Sequence, residues 1–78
     1  MKVINMTPNT DTLRLLVKRL RKERSWTQDE LADYAGVARQ TVHRLESGKM
    51  KRIDVEILAK IAIALDTTAS KLMEESGL

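Results

Sequence analysis

Seventy-eight residues, of which 42% are apolar and 32% charged, are enough for one folded domain and too few for two. The chain has no cysteine and a single histidine, which excludes disulfides and thiolate metal sites, so we expect no metal and no cofactor. The net charge of +3 favours an anionic partner only weakly, so the positions of the charges must indicate the function.

Residues 1–9 show no sustained periodicity, and we expect an N-terminal arm that is frayed or briefly extended. The first helix is predicted at about 10–24, because apolar residues there follow the i, i+3, i+4, i+7 spacing of one helical face. Those residues are Leu13, Leu16, Val17 and Leu20. We expect the domain to cover 10–75, with 76–78 as a short C-terminal tail.

The second helix has the best-defined start in the chain. Thr27 and Glu30 match the Thr-x-x-Glu capping box, in which each side chain accepts a hydrogen bond from the backbone amide of the other residue. The helix should end near Tyr34, because Gly36 can adopt the left-handed conformation at no steric cost.

Three further helices are predicted after a tight turn. The third covers about 39–46. Asp54 is a good N-cap for the fourth helix, and Thr67 and Thr68 together are the expected cap of a short fifth helix that ends near Met73. Five helices with short connections predict a compact all-α bundle.

The third helix carries the informative surface. Besides the inward-facing Val42 and Leu45, five side chains are related by spacings of three and four and share one face. They are Arg39, Gln40, His43, Arg44 and Ser47. None is acidic, whereas a solvated helix face usually mixes Glu with Lys. Because arginine pairs bidentately with guanine and glutamine with adenine, we expect Arg39, Gln40 and Arg44 to read bases in the major groove.

Two plainer interpretations stand beside this one. His43 shares the face and is a candidate base reader, although a lone histidine is also an ordinary surface residue. A donor-rich face on a short helix is often only solvated surface. Its combination with a capped helix, a glycine turn and a second short helix at the right spacing favours DNA.

Candidate phosphate contacts flank the third helix. Gln28 lies in the first turn of the second helix, where free backbone amides and the helix dipole attract a phosphate. Lys49, Lys51 and Arg52 come directly after the third helix, within reach of the sugar-phosphate backbone. Asp29 opposes this interpretation, because a carboxylate there would repel DNA and the sequence indicates no partner for it.

The segment Thr27–Lys49, TQDELADYAGVARQTVHRLESGK, resembles the phage repressor and Cro-like helix-turn-helix family of the xenobiotic-response-element type. The resemblance extends from about Leu13 through Leu72. It implies a five-helix fold with the helix-turn-helix at about 27–46. It also implies binding to operator DNA, usually as a symmetric dimer.

Matched position by position, the resemblance implies base readers at Arg39, Gln40 and Arg44 and phosphate contacts at Gln28, Lys49, Lys51 and Arg52. It also implies a pair between Arg21 and Glu46 that ties the first helix to the end of the third.

We expect that pair to be partly exposed and to contribute at most about 1 kcal/mol. Two positions depart from the family pattern. Ala38 stands where a Ser or Thr cap is common, a loss of about 1 kcal/mol, and the loop between Lys49 and Asp54 is about one residue longer.

We therefore expect a sequence-specific transcription regulator, a repressor that binds double-stranded operator DNA as a homodimer. Ile63 and Met73 are apolar where the helical pattern predicts exposure, which makes them candidates for the dimer contact. Two alternatives of the same class are a DNA-binding antitoxin with a toxin as its partner and the controller of a restriction-modification locus. A third alternative is a protein-interaction module that keeps the fold and binds a partner protein.

An enzyme is not expected, because the sequence has no cysteine, no His–carboxylate arrangement and no Gly-rich phosphate loop. No apolar run approaches the roughly 20 residues that cross a bilayer. The N-terminus also lacks a signal-peptide pattern. We therefore expect a cytoplasmic protein without membrane contact.

Overall fold

Five α-helices and a two-stranded sheet form the fold in a computed structural model, which describes residues 3–6 and 11–77. In chain order the elements are β1 (Val3–Asn5), α1 (Asp11–Glu23), α2 (Gln28–Ala35), α3 (Arg39–Ser47), β2 (Arg52–Asp54), α4 (Val55–Ala64) and α5 (Ala69–Glu75). The predicted five-helix architecture is confirmed, and the small sheet is an addition to it. The predicted first helical residue, Thr10, lies outside the described residues. Within those residues, no helix combines the length and apolar character that a bilayer crossing requires.

Local sequence signals set the helix boundaries as predicted. The capping box of α2 is complete: the Thr27 hydroxyl accepts from the Glu30 amide at 3.0 Å, and the Glu30 carboxylate accepts from the Thr27 amide at 2.9 Å. Gly36 ends α2 with a φ of 70°, in the left-handed region. Asp54 and Thr68 cap α4 and α5 through their side-chain oxygens. Each cap satisfies a backbone amide that the helix leaves free.

An aliphatic core lies between the helices. Leu13 and Val17 of α1 and Val42 and Leu45 of α3 face it as predicted and are fully buried. The other buried hydrophobic side chains are Leu16, Leu31, Ala32, Ile53, Leu58, Ile61, Ala62, Leu65 and Leu72. α2 packs against α3 and α4, and α1 packs against α3 and α5. α3 is thus held by two helices on its inner side, and its other side points outward.

The sheet joins the N-terminal arm to the segment before α4. β1 pairs antiparallel with β2, with Ile4 opposite Ile53, which is buried in the core. The Met6 amide donates to the Lys51 carbonyl at 2.6 Å. The described part of the arm is therefore extended rather than frayed, and the predicted loop before α4 contains a strand. Three-residue strands are too short to show a periodic pattern in the sequence.

A tight turn of Gly36, Val37 and Ala38 sets α3 across α2. The Val37 amide donates to the Ala32 carbonyl at 3.1 Å, which closes the turn on the end of α2. Ala38 precedes α3 in an extended conformation and provides no side-chain cap. The first turn of α3 therefore begins without the side-chain acceptor that α2, α4 and α5 each have.

Replacing Ala38 with Ser should stabilise the fold, because the hydroxyl can accept a hydrogen bond from a free amide in the first turn of α3. We expect the free energy of unfolding to rise by about 0.5–2 kcal/mol, measured by urea denaturation followed by circular dichroism. As the reciprocal control, Thr27→Ala should lower it by about 1 kcal/mol, because an existing cap is lost. An Ala38→Ser chain no more stable than the unchanged protein would contradict this account of α3.

Candidate nucleic-acid interface

The outward face of α3 carries exposed polar and cationic side chains. All four predicted base readers lie on it and are exposed: Arg39, Gln40, His43 and Arg44. Ser47 continues the face at the end of the helix. Glu46, the one carboxylate of α3, is turned inward and buried. The helix therefore offers cationic and amide groups, and no carboxylate of its own, to a ligand on this side.

Arg21 of α1 and Glu46 of α3 form a buried ion pair beneath this face. Two hydrogen bonds join them, from Arg21 Nε to Glu46 Oε2 at 2.7 Å and from Nη2 to Oε1 at 2.8 Å. Hydrogen bonding to Glu46 raises the pKa of Arg21 by more than burial lowers it, so the guanidinium keeps its charge. The expectation of a partly exposed pair is wrong, because the two side chains are only 9% and 1% exposed.

A second arginine of α1, Arg14, holds the same end of α3. Its Nη1 donates to the Glu46 carbonyl at 3.1 Å, and its Nε donates to Asp11 at 3.2 Å. Gly48 follows α3 with a φ of 80°, and a Cβ atom there would lie 3.2 Å from Arg14 Nε. Sequence reasoning missed this contact, although Arg14 and Arg21 lie two helical turns apart on one stripe of α1.

The side chain of Gln28 turns toward the same ion pair. Its Nε2 donates to Glu46 Oε1 at 3.1 Å, and the residue is half-buried. The Glu46 carboxylate thus accepts from Arg21 and from Gln28, which links α1 and α2 to the end of α3. Because the Gln28 amide carries a second N–H, the predicted phosphate contact stays a prediction, with its position set by Glu46.

Asp29, for which the sequence indicated no partner, lies against α3 and contacts His43, so the expectation of no His–carboxylate arrangement is wrong. Its Oδ1 is 2.9 Å from His43 Nε2, and its Oδ2 is 3.5 Å from Arg39 Nη1. The three side chains are between 45% and 65% exposed. Two of the predicted base readers thus contact a carboxylate from α2, whereas Arg44 has no ion pair within residues 3–6 and 11–77.

A basic segment after α3 extends this face. Lys49, Lys51 and Arg52 are exposed. Two shallow grooves, one over α3 and one over the segment, share Arg44 and Lys49 among their lining residues. The exposed side chains of α3 and of this segment therefore form one continuous surface, which we call the basic surface. Pairing of β2 with β1 fixes the far end of the segment.

Comparison with known proteins identifies the family. Residues 17–72 match the family model described as Helix-turn-helix. The chain belongs to the helix-turn-helix family of the phage repressor and Cro type. This confirms the resemblance found in the sequence, and α2, the turn and α3 are the helix-turn-helix predicted at about 27–46. The family is one of DNA-binding domains and not of enzymes.

Two similar proteins of Bacillus subtilis (strain 168) are HTH-type transcriptional regulators. SinR is 30% identical over 59 residues, which cover 76% of this chain and 53% of SinR. AnsR is 39% identical over 54 residues, which cover 69% of this chain and 46% of AnsR. The chain spans about half the length of the curated relatives it matches.

Two solved structures share the fold. One is a crystal structure of SinR, the master regulator for biofilm formation, in complex with DNA. It superposes with a TM-score of 0.72 at 28% sequence identity, and the match covers 78% of this chain and 97% of the SinR chain. The clp gene regulator ClgR of Corynebacterium glutamicum superposes with a TM-score of 0.76 at 22% identity, covering 92% of this chain and 76% of that one.

Replacing Arg21 with Met should destabilise the fold strongly, because the Glu46 carboxylate would stay buried without its cation. We expect the free energy of unfolding to fall by about 3–5 kcal/mol, measured by urea denaturation, and to recover in part in the Arg21→Met/Glu46→Leu double variant. The exposed pair of Arg19 and Glu23 in α1 supplies the matched control, with Arg19 Nε 3.8 Å from Glu23 Oε2. Arg19→Met should cost less than about 1 kcal/mol, and an equally small loss for Arg21→Met would contradict a buried pair.

Proposed function

We propose that this domain binds double-stranded DNA with α3 in the major groove and that the protein thereby regulates transcription. The observation that carries the proposal is the basic surface, an exposed helix face continuous with a basic segment. A DNA duplex has the matching chemistry, with hydrogen-bonding base edges in the groove and phosphates on both sides of it. Membership in a family of DNA-binding helix-turn-helix domains supports the same proposal.

Base recognition is assigned to four side chains of α3. Gln40 and Arg44 are both exposed. The Gln40 amide can form two hydrogen bonds with adenine, and the Arg44 guanidinium can form two with guanine. Arg39 and His43 lie on the same face, where both contact Asp29, and would enter the groove beside it. A helix of nine residues can place only a few such side chains against bases, so one domain would read a short site.

Phosphate contacts are assigned to the flanks of α3. Lys49, Lys51 and Arg52 are exposed beyond its C-terminus. Gln28 lies in the first turn of α2, whose free amides and dipole favour a phosphate. These contacts would supply affinity without sequence preference, whereas the α3 side chains would supply the preference. SinR, whose fold this chain shares, was crystallised in complex with DNA, which supports DNA as the ligand of this domain.

We further propose a homodimer that acts as a repressor. In a dimer, two copies of α3 would lie one turn of the DNA duplex apart, roughly 34 Å, and would double the number of bases read. Ile63 is 72% exposed on α4 and is the candidate dimer contact, whereas Met73 packs partly against the core and serves the fold. A dimer bound across a promoter excludes the transcription machinery, so repression is the outcome we propose.

Arg44→Ala should weaken binding to a selected operator by about 1–3 kcal/mol and relax the preference at one base position, because a base-edge contact is lost. Lys49→Ala should weaken binding to operator and random DNA alike, because phosphates carry no sequence information. Operators are obtained by selection from a random oligonucleotide library, and affinities by fluorescence anisotropy.

Lys22→Ala is the matched control, because Lys22 is an exposed cation on α1, outside both the basic surface and the proposed dimer contact. It should leave both affinities unchanged. For a dimer in which each protomer neutralises about three phosphates, log K should fall against log salt with a slope of about −5. Equal losses on operator and random DNA for Arg44→Ala would remove it from the base readers. A chain that binds neither DNA pool would overturn the proposed function.

Ile63→Lys should dissociate the dimer, because it places a charge in an apolar contact. The mass measured by analytical ultracentrifugation should fall from two chains to one. Leu15→Lys is the control, because Leu15 is another exposed apolar residue, 50% exposed on α1. The Leu15→Lys chain should keep the mass of two chains. A dimer that survives Ile63→Lys would show that the contact lies elsewhere.

A further inference from the structure

We propose that Asp29 is a positioning residue for base recognition, which restrains Arg39 and sharpens its preference for guanine. The Asp29 carboxylate lies 3.5 Å from Arg39 Nη1 and 2.9 Å from His43 Nε2. This inference rests on the proposed function and names the residue of α2 that sets the specificity of one α3 side chain.

The three residues link the starts of two helices. Asp29 is in the first turn of α2, Arg39 is the first residue of α3, and His43 follows one helical turn later. Asp29 therefore contacts both side chains from outside α3, at the half of the helix farthest from the Arg21–Glu46 pair. A contact of this kind limits the rotamers of Arg39, a side chain that otherwise loses much rotamer freedom when it is ordered.

The donor geometry of Arg39 leaves room for a base. A guanidinium has five N–H donors in a rigid fork, and the contact with Asp29 involves Nη1. Donors on the other side of the fork can still pair with O6 and N7 of guanine. His43 completes the arrangement, because a hydrogen bond from its Nε2 to Oδ1 holds the other oxygen of the Asp29 carboxylate.

The negative charge of Asp29 explains why Arg39 would pair with a base and not with a phosphate. A flexible arginine near DNA can also pair with the sugar-phosphate backbone, which gives no sequence preference. If Arg39 moved away to a phosphate, the Asp29 carboxylate would face the DNA without its cation. Asp29 therefore penalises the non-specific arrangement and weakens binding to any duplex, while it keeps Arg39 directed at the groove.

Asp29→Asn separates these two effects, because it removes the charge and keeps the shape. Affinity for random DNA should rise by about two- to fivefold at low salt, as expected for losing one exposed negative charge near phosphates. Discrimination between guanine and the other bases at the Arg39 position should fall by at least about fivefold, the lower end of what an arginine–guanine pair provides. Both are measured by fluorescence anisotropy on the selected operator, its single-base variants and random DNA.

Asp33→Asn is the matched control, because Asp33 is an exposed carboxylate of the same helix with no ion pair among the described residues. It changes the net charge equally and should leave base discrimination unchanged. A double-mutant cycle adds Arg39→Ala and Asp29→Asn/Arg39→Ala. If Asp29 acts through Arg39, Asp29→Asn should not change the discrimination that remains in the Arg39→Ala background. Thermal unfolding by circular dichroism verifies that each variant is folded.

Unchanged discrimination in Asp29→Asn would overturn the inference, and so would a loss of the same size in the Arg39→Ala background. Both results leave the proposed function intact, because the unchanged protein would still prefer its operator. A protein without any base preference would overturn the proposed function and this inference together. Whether the unchanged protein prefers its operator over random DNA therefore distinguishes a failure of this inference from a failure of the proposed function.

Discussion

The buried ion pair between Arg21 and Glu46 is the constraint on which the geometry of the basic surface depends. A carboxylate removed from water needs its cation in place, and α1 supplies that cation to α3. Gln28 and Arg14 bind the side chain and the carbonyl of the same glutamate, so α1 and α2 both hold the end of α3. As a consequence, the one carboxylate of α3 points inward and the outward face is left to cations and amides.

The two halves of α3 are held in different ways. Buried hydrogen bonds fix the C-terminal end, where the loss of one partner is costly. The N-terminal half is contacted by Asp29 through exposed pairs with Arg39 and His43, and exposed pairs contribute little to folding. The first arrangement sets the orientation of the helix, and the second can respond to a ligand without loss of the fold. This division separates two tasks, because the buried pair fixes the direction of the helix and the exposed pairs restrain individual side chains.

Signals that act within one helical turn could be predicted from the sequence, and contacts between distant segments could not. Thr27 and Gly36 define α2 through local hydrogen bonds and a left-handed residue, and the exposed face of α3 follows from helical periodicity. The β1–β2 pairing joins two short segments far apart in the chain, which leave no pattern. The partners of Asp29 depend on the angle between α2 and α3, and the burial of Arg21 with Glu46 depends on how closely α1 approaches. No residue spacing encodes either quantity.

Amide chemical shifts of the ¹⁵N-labelled protein, recorded while the selected operator is added, test most directly whether the outward face of α3 is the DNA contact. We expect the largest changes at residues 39–44 and 49–52, smaller changes at the start of α2 and none on the outer surfaces of α1 and α5. Changes concentrated on α1 and α5, with α3 unaffected, would contradict this expectation.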